Sequence, residues 1–495
     1  MGTLFNTENL DASGVCRRAP HLRLCLTSTG KRILSIPKLR AAHIGILLSM
    51  ALLPGHGSAQ TLEEAFVLAY RTNPGLISAR ALLRQTNELA PQARGGWRPQ
   101  VSFNGTAGYT DVKQSSRGRT INDDNYNNRT LSLEATQPLY TFGRVEARVD
   151  AADATIESQR AQLFQTEQNT FVSTATAYLT VIREGATLDL QRNNLSRLRQ
   201  QLEATRARFE VEDLTRTDVA QAQASVASAE ADVASAEASL AQARVSFARV
   251  IGQSPEELTV PDLPSGLPET RDEAIKIAVG GSFSLLGAKF SEAAAARQLE
   301  AARADLLPTV NLVTSLNHSE DSSVNENESW NAAVSVRLTV PLYQSGITYS
   351  KAREAHENLR RLRFSAIDQE RVASEGAANA YEALQGSYSQ IDALQAQIDA
   401  AAIALEGVQS EASVGARTVI DVLDAEQALL DARVRLVRAR YDVLVSSYRL
   451  LSAIGRLTAQ DLELPVDYYD YDQHYREVRT RWLGTETSDS EYFRD

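Results

Sequence analysis

From Val101 to Thr110 the chain alternates. Val101, Phe103, Gly105, Ala107 and Tyr109 share one face, and Ser102, Asn104, Thr106, Gly108 and Thr110 share the other. A period of two predicts a strand with one apolar and one polar side. A second strand is predicted from Arg129 to Tyr140, with Leu131, Leu133 and Ala135 opposite Ser132, Glu134 and Thr136. The polar stretch Asp111 to Asn128 between them reads as a loop. The pattern returns after Pro308, where Leu312, Thr314 and Leu316 share a side. An acidic loop is expected over His318 to Ser329. In the last strand Trp330, Ala332, Val334, Val336, Leu338 and Val340 alternate with Asn331, Ala333, Ser335, Arg337 and Thr339. The prediction is thus two hairpins, residues 98–140 and 308–343. Each strand is long enough to cross a bilayer when tilted. Apolar-out, polar-in alternation with Tyr109, Tyr140, Trp330 and Tyr343 near strand ends fits a membrane barrel. A soluble sandwich sheet is the competing reading, because alternation is a weak signal per strand.

Outside the hairpins the period becomes helical. Thr61 with Glu64 has capping-box spacing, and the helix it opens is expected to run to about Arg94, before Gly95-Gly96. Proline is absent from Gly143 to Phe209 and from Gly346 to Ser413. Heptads run through both: Val181, Leu188, Leu195, Leu202 and Phe209, then Leu384, Ile391, Ile398, Leu405 and Ala412. At 1.5 Å per residue each stretch makes a helix roughly 100 Å long. A sustained heptad implies supercoiling against neighbours. Shorter return helices are predicted over Asp218–Ile251 and Asp421–Ile454, ended by Gly252 and Gly455.

The chain is written twice. Pro138-Leu139-Tyr140 with Gly143 recurs as Pro341-Leu342-Tyr343 with Gly346, an offset of 203 residues. Val219, Val226, Val233, Leu240 and Phe247 recur at that offset as Val422, Leu429, Leu436, Val443 and Leu450. Ala222, Ala229, Ala236 and Ala243 recur as Ala425, Ala432, Ala439 and Ser446. The expected divisions are a signal peptide over 1–59, a first repeat over 60–260, a linker over 261–270, a second repeat over 271–462 and a polar, tyrosine-rich tail over 463–495. The tail is expected to be poorly ordered or laid along the helices.

The signal peptide rests on the basic flank Lys31-Arg32, Lys38 and Arg40, the apolar run Ala41–Leu53 and the small residues before Gln60. Cleavage is expected near Ala59, and the long stretch before Lys31 is consistent with an overcalled start. Cys16 and Cys25 are the only cysteines, so the mature chain is expected to hold no disulfide and no lipid anchor. A net charge of −11 argues against a nucleic-acid partner. Six scattered histidines give no pair with metal spacing, and no phosphate loop or nucleophile elbow is present. No enzyme and no cofactor are expected, and acidic residues flanking the heptads read as solvated helix faces.

Four strands cannot close a membrane barrel, which takes eight or more. Open sheet edges cannot face lipid. Strands in a membrane therefore require several copies of the chain. Pro138-Leu139-Tyr140-Thr141-Phe142-Gly143 and the run from Val414 to Ala425 (VGARTVIDVLDA), within the duplicated strand–helix unit, resemble the TolC family of outer-membrane channels over residues 60 to 462. That resemblance implies a mixed α and β membrane protein. Three copies, each giving four strands, would form a twelve-strand β-barrel continued by a long periplasmic α-helical barrel. It implies the outer membrane of a Gram-negative bacterium and contact with its lipid. It also implies a periplasmic adaptor and an inner-membrane ABC or proton-driven transporter as partners. The function implied is a passive exit duct for small molecules or polypeptides, with type I protein secretion favoured by the missing anchor cysteine. A structural or adhesive coiled-coil protein of the envelope is the alternative.

The resemblance places the pore gate where long and return helices meet. Asp421 and Asp424 match aspartate rings, and their spacing puts them on one helix face. Three copies would make a negative ring that favours cations and raises some carboxylate pKa values. Arg417, Asp218 and Thr217 match a latch that holds the tip shut, and Val414 and Gly415 an adaptor-docking tip. Ala412 stands where the family often has a tyrosine bonded to the threonine at the place of Thr217, so that contact is missing. The bland alternative is that Thr215/Asp218 and Thr418/Asp421 are capping boxes.

Overall fold

The computed structural model describes residues 60–320 and 328–485. The expected signal peptide, the middle of the second hairpin loop and the last residues of the tail lie outside that range.

The first helix is not continuous. It is three pieces, α1 (Leu62–Thr72), α2 (Pro74–Asn87) and α3 (Leu89–Arg94), followed by a 3-10 turn over Gly95–Trp97. Pro74 explains the first break. It has no N–H to continue α1 but suits the first turn of α2. The Asn73 side chain accepts from the N–H groups of Gly75 and Leu76, capping the new helix. Then come β1 (Gln100–Ser116) and β2 (Arg119–Tyr140). The loop expected over 111–128 is instead the upper half of this hairpin. Its turn is only Arg117-Gly118, both with positive φ (52° and 75°), the two-residue form that matches strand twist.

Next are α4 (Arg144–Glu210) and α5 (Arg216–Ile251). The second half mirrors this order with α6 (Arg271–Gly281), α7 (Phe283–Ala304), β3 (Thr309–Glu320), β4 (Glu328–Thr339), α8 (Ile347–Ser413) and α9 (Val419–Ala453). The tail adds α10 (Gln473–Val478). Both long helices have 67 residues, about 100 Å. Each starts after a left-handed glycine, Gly143 or Gly346, so the chain turns from sheet into helix at the same joint twice.

The four strands form one antiparallel sheet in the order β1-β2-β3-β4. Register carries the sequence alternation across it. Phe103 faces Leu133, which faces Leu316, which faces Ala332, so one apolar row crosses all four strands. The outer edges of β1 and β4 have no partner strand among the described residues. Every residue of β4 is exposed.

The core sits where α1, α4, α5 and α9 meet. Phe66 packs edge-on against Phe171 (5.2 Å) and Tyr448 (5.7 Å), and Tyr178, Phe247, Leu450 and Ile454 close around them. The Tyr178 hydroxyl lies 2.7 Å from the carbonyls of Gln60 and Thr259. It thereby ties the residue just before α1's cap to the proline-rich segment after α5. α4 is buried along most of its length, whereas α8 buries only Ala366, Ala377, Leu384 and Leu394. Phe364, Ile367, Val372 and Ile403 of α8 stay exposed. A heptad helix so little covered needs further copies to pack on.

Candidate functional site

At the end of the helices away from the sheet, two turns join α4 to α5 and α8 to α9. They share one plan, 203 residues apart. The Glu212 N–H donates to the Phe209 carbonyl (2.9 Å) and the Asp213 N–H to that of Arg208 (2.9 Å). The Gly415 N–H donates to Ala412 (3.3 Å) and the Ala416 N–H to Glu411 (2.9 Å). This closes the orphan carbonyls of a helix C-terminus and requires a left-handed residue. Gly415 supplies it with φ 76°, but the first turn uses Glu212 at φ 64°. A side chain there costs about 1–2 kcal/mol. Glu212→Gly is therefore expected to raise the stability of the first turn by about 1 kcal/mol, seen as slower hydrogen exchange of the Asp213 amide.

Beyond each turn, a threonine and an aspartate cap the return helix reciprocally. Thr215 donates its N–H (2.9 Å) and hydroxyl (2.7 Å) to Asp218 Oδ2, and accepts the Asp218 N–H (3.3 Å). Thr418 and Asp421 repeat this at 2.9, 2.7 and 3.4 Å. The threonine hydroxyl first, then its N–H, holds each carboxyl below the usual aspartate range. The capping reading is thus realised at both sites. Within one chain the shift runs opposite to the upward shift expected of Asp421 in a like-charged ring. Because the folded pKa is lowered, this stabilisation is full above the unfolded value near 3.9 and is lost as pH falls through the lower folded value. Amides of the first turns of α5 and α9 are accordingly expected to lose exchange protection below about pH 4 while the Phe171 core keeps its own.

The latch expected between Arg417 and Asp218 is not formed within the chain. Arg417 Nε instead meets Glu411 Oε2 at 2.8 Å, and Asp218 is engaged with Thr215. The reason is local: the left-handed turn folds Arg417 back over the last turn of α8, where Glu411 is nearest. The first repeat has the same brace with its charges reversed, Arg208 Nε to Asp213 Oδ2 at 2.7 Å. Both braces are exposed and screened by solvent, so each adds little to stability. Thr217, Val414 and Gly415 are exposed, and Ala412 is half-buried.

On α9, Asp421 is partly exposed and Asp424 fully, while Val422, Leu423 and Glu426 are buried. Val419 and Leu423 pack against Leu195 and Leu198 of α4 and Ala229 of α5, which fastens the second repeat's return helix to the first repeat's hairpin. Behind this apolar contact lies a polar node that sequence reading missed. Burial pushes the Glu426 carboxyl up, and the Arg197 guanidinium pulls the other way. Glu426 Oε2 and Asn194 Oδ1 are buried without a hydrogen-bond partner among the described residues. Glu167, higher on α4, is also buried and accepts the Ala459 N–H at 2.7 Å. These two glutamates correct the reading of all flanking acids as solvated. Their one sequence signal is that they share a helical face with apolar heptad residues.

Among the described residues no cluster of His, Cys, Asp or Glu is placed to hold a metal. None of the described helices is long and apolar enough to cross a membrane.

The model of one protein family, described as Outer membrane efflux protein, matches residues 67–253 and 274–456. Those two matches fall on the two repeats. The outer membrane efflux protein BepC of Brucella suis is 33% identical over 446 residues, 90% of this chain and 96% of its own length. The alkaline protease secretion protein AprF of Pseudomonas aeruginosa is 26% identical over 432 residues, 84% of this chain and 86% of its own. Among solved structures, the transmembrane channel CusC superposes with a TM-score of 0.71 at 19% identity, covering 80% of this chain and 92% of that one. The fold is that of one protomer of a TolC-like channel.

Proposed function

Because the chain belongs to the outer membrane efflux protein family, the TolC-like ducts of the outer membrane, we propose that three copies form a passive exit duct of a tripartite export system. The observation that carries this is the pair of open edges on β1 and β4. In a sheet with an apolar outer face those edges must be paired, and β4 of one copy beside β1 of the next closes twelve strands into a barrel. The exposed faces of α5 and α8 then meet neighbouring copies and continue the barrel as a tunnel through the periplasm. Work comes from an inner-membrane ABC or proton-driven transporter reached through a periplasmic adaptor. The duct has no catalysis of its own.

Val414 and Gly415, exposed at the tip, form part of the adaptor's docking surface. Asp421 and Asp424 line the constriction. Arg417, Asp218 and Thr217, not joined within one chain, meet in the closed trimer. The cargo reading is polypeptide secretion, supported by the relative AprF, whose name is that of a protease secretion protein. Small-molecule efflux is the second reading, supported by the name of BepC. Purified protein is expected to run as a heat-resistant oligomer and to conduct in planar bilayers. A water-soluble monomer without conductance would end the proposal. Deleting the gene separates the cargoes: loss of a secreted polypeptide supports the first, and drug sensitivity with intact secretion the second.

A further inference from the structure

The tail does not hang free. From Leu464 it runs along α1, α2 and α4 towards the sheet. The Tyr469 N–H donates to the Tyr70 hydroxyl (3.0 Å), and the Tyr469 ring faces Arg80 at 5.3 Å. Tyr471 and Tyr475 flank Arg160 at 5.3 and 5.4 Å, and Arg160 also pairs with Asp472. The Tyr475 hydroxyl donates to Asp153 (2.9 Å). Arg94 then donates to the Arg479 carbonyl (3.2 Å) and Arg98 to that of Arg481 (2.6 Å), and the Arg98 guanidinium lies 4.9 Å from the Trp482 ring centroid. Along α4 these contacts step from Phe164 through Arg160 to Asp153, towards the helix start at the base of the sheet.

Arg98 is two residues before β1 begins and three before Val101, the first outward apolar residue of the strand. At about 3.3 Å per residue, Trp482 lies within roughly 10 Å of the level where the apolar face starts. The headgroup layer on each side of a ~30 Å hydrocarbon core is several ångströms deep, so that level falls within it. There the tail exposes two large apolar side chains in succession, Trp482 at 65% and Leu483 at 89%. Arg476, which pairs with Asp470 at 2.7 Å, and Arg479, over the Tyr475 ring at 5.7 Å, come just before them.

We propose that the tail is a strap that seats Trp482 and Leu483 in the headgroup layer of the periplasmic leaflet, with the arginines beside anionic phospholipid. Tryptophan and arginine are the residues suited to that layer, one end apolar and the other wet. The strap extends the membrane contact of the sheet, so it takes the spanning sheet as given. It is a contact separate from the barrel wall. It ties the helices that brace the barrel to the surface around it.

The test uses the full-length protein with Cys16→Ser, Cys25→Ser and Leu483→Cys, spin-labelled and reconstituted in vesicles of phosphatidylethanolamine and phosphatidylglycerol. The label is expected to be shielded from a water-soluble nickel chelate and reachable by oxygen, at headgroup depth. In a companion protein, Trp97→Phe and Trp330→Phe leave Trp482 as the emitting tryptophan, and lipids brominated near the headgroup are expected to quench it. Equal access of the chelate in vesicles and in an amphipathic polymer, with no bromine quenching, would overturn the strap. So would a label immobilised against a neighbouring copy without lipid contact. Conductance measured on the same vesicles keeps failure of the strap distinct from failure of the duct.

Discussion

Val334→Arg is expected to abolish the heat-resistant oligomer, while Ser335→Arg leaves it assembled. Val334 lies at the middle of β4, 73% exposed, and pairs across the sheet with Thr314. Its face carries Val336, Leu338 and Trp330. Arginine on the lipid face near the bilayer midplane costs about 2–4 kcal/mol. Three copies make about 6–12 kcal/mol per barrel, comparable with the whole stability of a typical domain. Ser335 points to the opposite, polar face, where arginine meets water. The pair therefore tests the orientation of the sheet as well as its location. Equal assembly of both variants in an outer-membrane fraction, or equal loss, would refute the assignment of faces.

The second large effect is expected at the tip. On the proposed gate, Asp424→Ala is expected to weaken block of single-channel current by a multivalent cation on the order of tenfold or more, since three carboxylates would vanish together from around one axis. Asp424 is the cleaner probe because it takes no part in a cap. Asp421→Ala removes half of a capping box as well, so its effect on current mixes charge with loosened structure. Melting curves separate the two. Asp424→Ala should melt like the parent protein. A current blocked as strongly as before would move the ring elsewhere on α9.

Much of this fold was legible because its joints are chemical. Gly143 and Gly346 set where the long helices begin. Thr215/Asp218 and Thr418/Asp421 set where the return helices begin, and the heptads set what is buried between. Three things were not legible. Above the apolar band, the sequence over residues 111–128 is mostly polar, so the hairpin's upper half has no alternation to read although its backbone pairs up to the turn apart from one register shift at Gln114/Ser115. The tail's tyrosines become meaningful only when Arg80 and Arg160, hundreds of residues away, come beneath them. Arg417 found its partner across a turn, at Glu411, where the geometry of a left-handed residue decides the outcome and spacing does not. Asn73-Pro74 was legible in principle, since proline after asparagine marks a new helix start.

The two tip turns are built to one plan with unequal materials. One holds a glutamate where the other holds a glycine, and their ionic braces run with opposite sign. Around the axis of the assembled duct such turns would alternate, strained and relaxed, so the six of them are a threefold device with a sixfold outline.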